Sequence, residues 1–271
     1  MANTWSALWA LNGSAEDFLL ITLLCSLRMF AAFSIFPATS QQAIEGTARA
    51  GIVMLIGSFI AFGQPADLTS HLGGANLFIL LTKEAFLGLL LGYVGSTVFW
   101  VAESAGALID NVAGYNNVQQ TNPLSTQQTT PVSGTLLQLC VTLFYTFGGF
   151  LFLISTLFET YLLWPIASLT PEPVAILERF IILQTDTLMT QTVKIASPVL
   201  MIMVLIDLSF GLVAKTAGKL EPNSLAQPVK STVALLVVLL SLNVFVQQLT
   251  VSLSLADLKV QLQNWAAARA P

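Results

Sequence analysis

Only 24 of this chain's 271 side chains carry charge at neutral pH, ten basic and fourteen acidic. That shortage constrains the fold more than any motif. Soluble domains carry about 25% charged residues; here the figure is 9%, beside 55% hydrophobic residues. A soluble globule of this size would need several tens of charges to hydrate its exterior, so most of the surface must face lipid or protein. A soluble enzyme, a disordered tail and a disulfide-stapled secreted domain are disfavoured. A nucleic-acid partner conflicts with a net charge of −4.

Apolar stretches fall at 18–36, 50–63, 75–109, 134–164, 187–214 and 231–256, with most Pro, Gln and Asn between them. They predict an all-α membrane protein forming a single unit over 1–271. A hydrocarbon core takes about 20 helical residues. The second stretch is shorter than that and the third and fourth are longer. Long, partly irregular helical hairpins packed within an assembly, some of them re-entrant, fit better than an orderly series of spans. Pro198 lies inside the fifth stretch and predicts a kink or a broken helix. Lys215, Lys219 and Lys230 form the one basic cluster, which the positive-inside rule places in the cytoplasm. Glu16 and Asp17 precede the first apolar run and no basic residue precedes Arg28, the wrong charge for a secretory signal.

Gly88, Gly92, Gly95, Ala102 and Gly106 fall near one face of the third stretch, and small side chains there allow close helix packing. Ionisable residues inside apolar runs are costly; here they are Arg28, Lys83, Glu84, Glu103, Glu159, Lys194 and Asp207. Structural ion pairs between helices are one reading of them. A proton or ion path near the midplane, as in a secondary transporter or channel, is the alternative. Leu108-Ile109-Asp110 with Gly114 is echoed by Leu205-Ile206-Asp207 with Gly211, either by coincidence or from two related hairpins.

The stretch Asn111–Thr130 holds four Asn, four Gln and four Thr without a charge, broken by Gly114 and Asn122-Pro123. A long neutral polar loop at 111–130 is expected. Such a loop can touch a passing polypeptide without trapping it on a charge, or it can be an exposed connector. Enzyme chemistry has little support. His71 is the sole histidine, so no His-based triad or multi-His metal site can be built. Asp110 lacks a directly preceding Gly, and Cys25 and Cys140 sit in apolar runs as small hydrophobes. No metal and no cofactor is expected.

The order of landmarks resembles the T component of the type III secretion export apparatus, called SctT in injectisomes and FliR in flagella. Arg28, Pro37 and Arg49 resemble the family's opening pattern, and Glu84, Gly88, Gly92, Gly106 and Gly114 its central glycine helix. Asp110 and Asn122-Pro123-Leu124 resemble its mid-chain loop, and Pro198, Asp207, Gly211, Pro222-Asn223, Pro228 and Lys230 its closing pattern. Glu221-Pro222-Asn223-Ser224 is more compact and acidic than a flagellar member would show, which favours the injectisome branch.

The resemblance implies a protein without catalysis of its own. It would join R and S subunits in a helical pore of the bacterial inner membrane, partly at the periplasmic level, with the switch protein near the cytoplasmic entrance. Unfolded secreted proteins would pass through, driven by proton-motive force and an ATPase elsewhere in the apparatus. The resemblance also implies that Gly114–Gln127, with Tyr115, Asn116, Asn117, Gln119, Gln120, Asn122 and Pro123, helps plug the closed pore, and that the glycine helix packs between subunits.

Overall fold

The structure, a computed structural model, describes residues 15–40, 43–64, 74–115, 120–121, 128–167, 174–216 and 222–253. Among these residues seven α-helices carry nearly everything: α1 (Ala15–Ile35), α2 (Gly46–Phe62), α3 (Gly74–Ala113), α4 (Pro131–Thr146), α5 (Gly149–Leu163), α6 (Val174–Thr216) and α7 (Pro222–Leu253). A 3₁₀ turn at Pro37–Thr39 follows α1. The fold is all-α, as the apolar stretches predict. Four helices, α1, α3, α6 and α7, are long and apolar enough to cross a membrane. The bent pair α4 and α5 would make a fifth. Helix α2 is apolar but has 17 residues, short of the ~20 that span a hydrocarbon core.

The chain divides into two compact units. The first comprises residues 1–96 and 151–180. Its core joins Ile21, Leu24 and Cys25 of α1, Ile60 and Ala61 of α2, Leu80 of α3, Tyr161 of α5 and Ile166. The second comprises residues 97–150 and 181–271. There Phe99 of α3 meets Phe144 of α4 edge to face, with ring centroids 5.5 Å apart. Both rings are fully buried.

The apolar stretch 134–164 holds two helices, α4 and α5. Gly148 adopts φ +72°, a left-handed conformation that ends α4 where most other residues would be strained. The polar segment 111–130 is shorter than its composition implies. Asn111–Ala113 complete the last turn of α3, and Gly114, with φ +83°, turns the chain out of the helix. Gln120–Thr121 and Gln128–Thr129 then pair as a two-residue antiparallel ladder.

Of the kink or broken helix expected at Pro198, the break does not occur, since α6 runs from Val174 to Thr216 as one helix. Proline at that position removes the N–H that would have bonded the Lys194 carbonyl four residues earlier. The Ser197 hydroxyl donates to that same carbonyl at 2.9 Å, so the freed acceptor is satisfied without a helix break.

Candidate functional site

Two polar constructions stand out against the apolar background, one in each unit. In the first unit Arg28, on α1, is fully buried with Glu84, on α3. The guanidinium meets the carboxylate as a fork, Nε to Oε2 at 2.7 Å and Nη2 to Oε1 at 3.0 Å. Lys83 Nζ also reaches Glu84 Oε1 at 3.0 Å. Two cations share one carboxylate, so a unit of positive charge must be stabilised otherwise. The chain past the end of α5 does this. Arg28 donates to the Trp164 carbonyl at 2.9 Å, and Lys83 to the carbonyls of Pro165 and Ile166 at 3.1 and 3.0 Å. Carbonyls at a helix C-terminus carry partial negative charge and suit cations. Arg28 further donates to Thr160 Oγ1 at 3.1 Å, and its guanidinium carbon lies 4.1 Å from the ring centroid of Tyr161. The Tyr161 hydroxyl donates back to the Cys25 carbonyl of α1 at 2.6 Å.

In the second unit the construction is the base of the polar loop. Asp110, fully buried near the end of α3, accepts the backbone N–H of Val132 at 3.0 Å and of Ser133 at 3.0 Å. These are orphan donors in the first turn of α4. Thr130 occupies the N-cap position and makes no side-chain cap bond, so a residue from across the loop caps the helix in its place. The Ser133 hydroxyl returns to the Glu103 carbonyl of α3 at 2.9 Å. On the other strand of the loop's base, Gln227 of α7 donates to the Ala113 carbonyl at 3.0 Å. The Tyr115 hydroxyl donates to the Ser231 carbonyl at 2.7 Å. A Cβ on Gly114 would fall onto the Gln227 amide. The described ends of this segment therefore form a clamped neck.

The ionisable residues singled out from sequence separate accordingly. Arg28, Lys83 and Glu84 form one cluster. Asp207 pairs with Lys230 between α6 and α7. Glu103 is half-buried on α3 and Glu159 half-buried on α5, while Lys194 is exposed on α6. Lys194 also borders a cavity of about 70 Å³ lined mostly by apolar side chains, among them Ile109, Leu136 and Phe245. The partner of Asp207, Lys230, is not one of the seven.

The glycine face meets two different neighbours. A Cβ added at Gly92 would lie 2.7 Å from the Ala32 carbonyl oxygen of α1, and one at Gly95 would lie 2.8 Å from the Phe36 ring. At Gly88 it would fall onto the Arg28 carbonyl, and at Gly106 onto the Ser133 backbone of α4. At these positions the close neighbours within the chain are α1, the Phe36 ring and α4. Of the loop residues, Gly114 and Tyr115 sit in the clamped neck and Gln120 in the short ladder. Asn116, Asn117, Gln119, Asn122, Pro123 and Gln127 lie outside the described residues, as does His71. Thr160, Tyr161, Gln227 and the carbonyls of 164–166 carry no sequence signal that would have singled them out.

Comparison with known proteins places this architecture. Residues 19–255 match the family of bacterial export proteins, family 1. The chain is 33% identical over 214 residues to Yop proteins translocation protein T of Yersinia pestis, covering 79% of this chain and 82% of that protein. It is 24% identical over 225 residues to surface presentation of antigens protein SpaR of Shigella sonnei, covering 83% and 86%. Flagellar biosynthetic protein FliR of Escherichia coli is 25% identical over 210 residues, covering 77% and 79%. The chain is thus an integral membrane protein belonging to the bacterial export proteins, family 1, the SctT and FliR family, on its injectisome branch.

Proposed function

We propose that this chain is the T subunit of a type III secretion export gate, a non-enzymatic structural component of the inner-membrane pore through which unfolded proteins leave. The match over residues 19–255 carries the reading. Its partners are the R and S subunits of the apparatus, with the switch protein at the cytoplasmic entrance. Surface burial supports the need for partners and lipid. Within their most apolar windows α6 and α7 have 17% and 11% of positions buried, against 56% and 50% for α1 and α3. The secondary-transporter alternative finds little in the cavity beside Lys194, whose 70 Å³ is far below the ~300–1,000 Å³ of small-molecule sites.

The loop between Gly114 and Thr130 acts as the plug of the closed gate, and Asp110 is the residue that holds its base. Asp110→Ala strands the buried N–H groups of Val132 and Ser133, a loss of about 1–3 kcal/mol. Asp110→Asn keeps one acceptor oxygen and costs less. Ion leak through the assembled, resting gate should rise in the same order, wild type, Asn, Ala. Equal leak in all three would remove Asp110 from this role.

The subunit assignment is tested by expression. Produced alone, the chain should aggregate or be degraded; produced with R and S homologues, it should purify as one large complex of defined mass. It should also restore secretion to an injectisome strain lacking its own T subunit. A monodisperse particle obtained without partners that binds a small solute would overturn the assignment.

A further inference from the structure

Helix α6 is 43 residues long, about 65 Å at 1.5 Å per residue, twice what a hydrocarbon core of about 30 Å requires. Its two exposed lysines, Lys194 and Lys215, stand 21 positions apart, about 31 Å. At 100° per residue Lys194, Met201, Leu205, Leu208 and Leu212 fall within about 40° of a common line. The four apolar members are 69%, 55%, 62% and 60% exposed. The opposite side, Thr192, Ala196, Val199 and Met203, is buried.

Between the two lysines nothing on α6 resists hydrocarbon on that side. The hydroxyls of Ser197 and Ser209 bond their own helix backbone. Asp207, the one carboxylate in the interval, lies about 140° round the helix from Lys194 and is paired with Lys230. N-terminal to Lys194 the character changes, with Asp186 and Thr190 exposed.

We propose that the side of α6 bearing Lys194, Met201, Leu205, Leu208 and Leu212 is a lipid-facing surface, with Lys194 and Lys215 resting at the two headgroup layers. Their ammonium groups would meet lipid phosphates at either end, and the apolar stripe between them has the length of the acyl layer. The deepest point of the stripe is then Leu205, midway between the lysines. The first half of α6, up to Val193, stands beyond the bilayer by about 30 Å and needs protein cover for its exposed Ile182 and Met189, which lie about 80–100° round the helix from Thr190.

Single cysteines at Thr190, Leu205 and Leu208 test it, introduced into the full chain co-produced with R and S homologues in bacterial membranes. Both native cysteines are buried and all three chosen positions are exposed, so labelling reports the new thiol and folding is not at risk. Bimane on Leu205→Cys should be quenched several-fold more strongly by doxyl-labelled lipids than bimane on Thr190→Cys, and most by labels deep in the acyl chain. A membrane-impermeant maleimide should react with Thr190→Cys and not with Leu205→Cys. Leu208→Cys should follow Leu205→Cys at slightly shallower depth. Equal weak quenching at all three positions would mean that protein covers the stripe. Strongest quenching at Thr190→Cys would mean that the bilayer lies further toward the start of α6. Either result overturns the proposal.

Discussion

Glu84→Leu should destabilise the chain by about 3–5 kcal/mol, the loss typical of removing one partner from a buried ion pair. The effect should be at the upper end because the carboxylate serves two cations. Without it Arg28 and Lys83, buried together beside the end of α5, keep the carbonyls of residues 164–166 and the Thr160 hydroxyl as acceptors but lose the carboxylate they share. Arg28→Leu should cost less than Glu84→Leu, since Glu84 keeps Lys83 as its counter-ion. The double variant Arg28→Leu, Glu84→Leu should recover part of the loss, because apolar side chains of similar volume often replace a buried pair at little cost. Arg28→Lys retains the charge and loses the fork, so it should not substitute. Unfolding of the detergent-solubilised complex, followed by tryptophan fluorescence from Trp164 and its neighbours, gives the comparison. A Glu84→Leu change below 1 kcal/mol, or a double variant worse than both single ones, would refute the clasp.

The same cluster marks where sequence reasoning succeeds and stops. Hydropathy is a local property, so the extents of α1 and α3 were legible: stretches predicted at 18–36 and 75–109 lie close to helices Ala15–Ile35 and Gly74–Ala113. Arg28 and Glu84 were legible as costly residues but not as partners, since 56 positions separate them. Their remaining acceptors are backbone carbonyls, which every residue has and no side chain announces. The split between α4 and α5 was hidden for a related reason. Phe147 and Gly148 continue the apolar composition, and only the positive φ of Gly148 shows the chain turning. At the loop, composition revealed a neutral segment, yet its neck is made by Asp110 and Gln227, which belong to α3 and α7. Glycine spacing identified a close helix approach, while the identity of the neighbour required the fold.

Gly88→Ala should be among the most damaging single-methyl additions in this chain, and the reason lies in what surrounds that position. The added Cβ would occupy the place of the Arg28 backbone carbonyl, which cannot turn aside as a side chain can. Helix α1 would have to move away from α3, carrying Arg28 off the Glu84 carboxylate. Overpacking of this kind costs about 1–3 kcal/mol, occasionally more, and the upper end is expected because the ion-pair fork is disturbed as well. Because both changes act on one contact, Gly88→Ala and Glu84→Leu should be less than additive when combined. Gly95→Ala meets the edge of the Phe36 ring, a side chain with some freedom to rotate, and should cost less. Gly51→Ala on α2 meets nothing within 4 Å and should stabilise by up to about 1 kcal/mol through helix propensity alone. The order Gly88, Gly95, Gly51 should appear in how fast the chain is lost from membranes relative to wild type, even without R and S partners, because the crowded neighbours belong to the same polypeptide. If Gly88→Ala instead accumulated normally and failed only on assembly, the close approach of α1 to α3 would be a product of the complex and not of this chain's own fold.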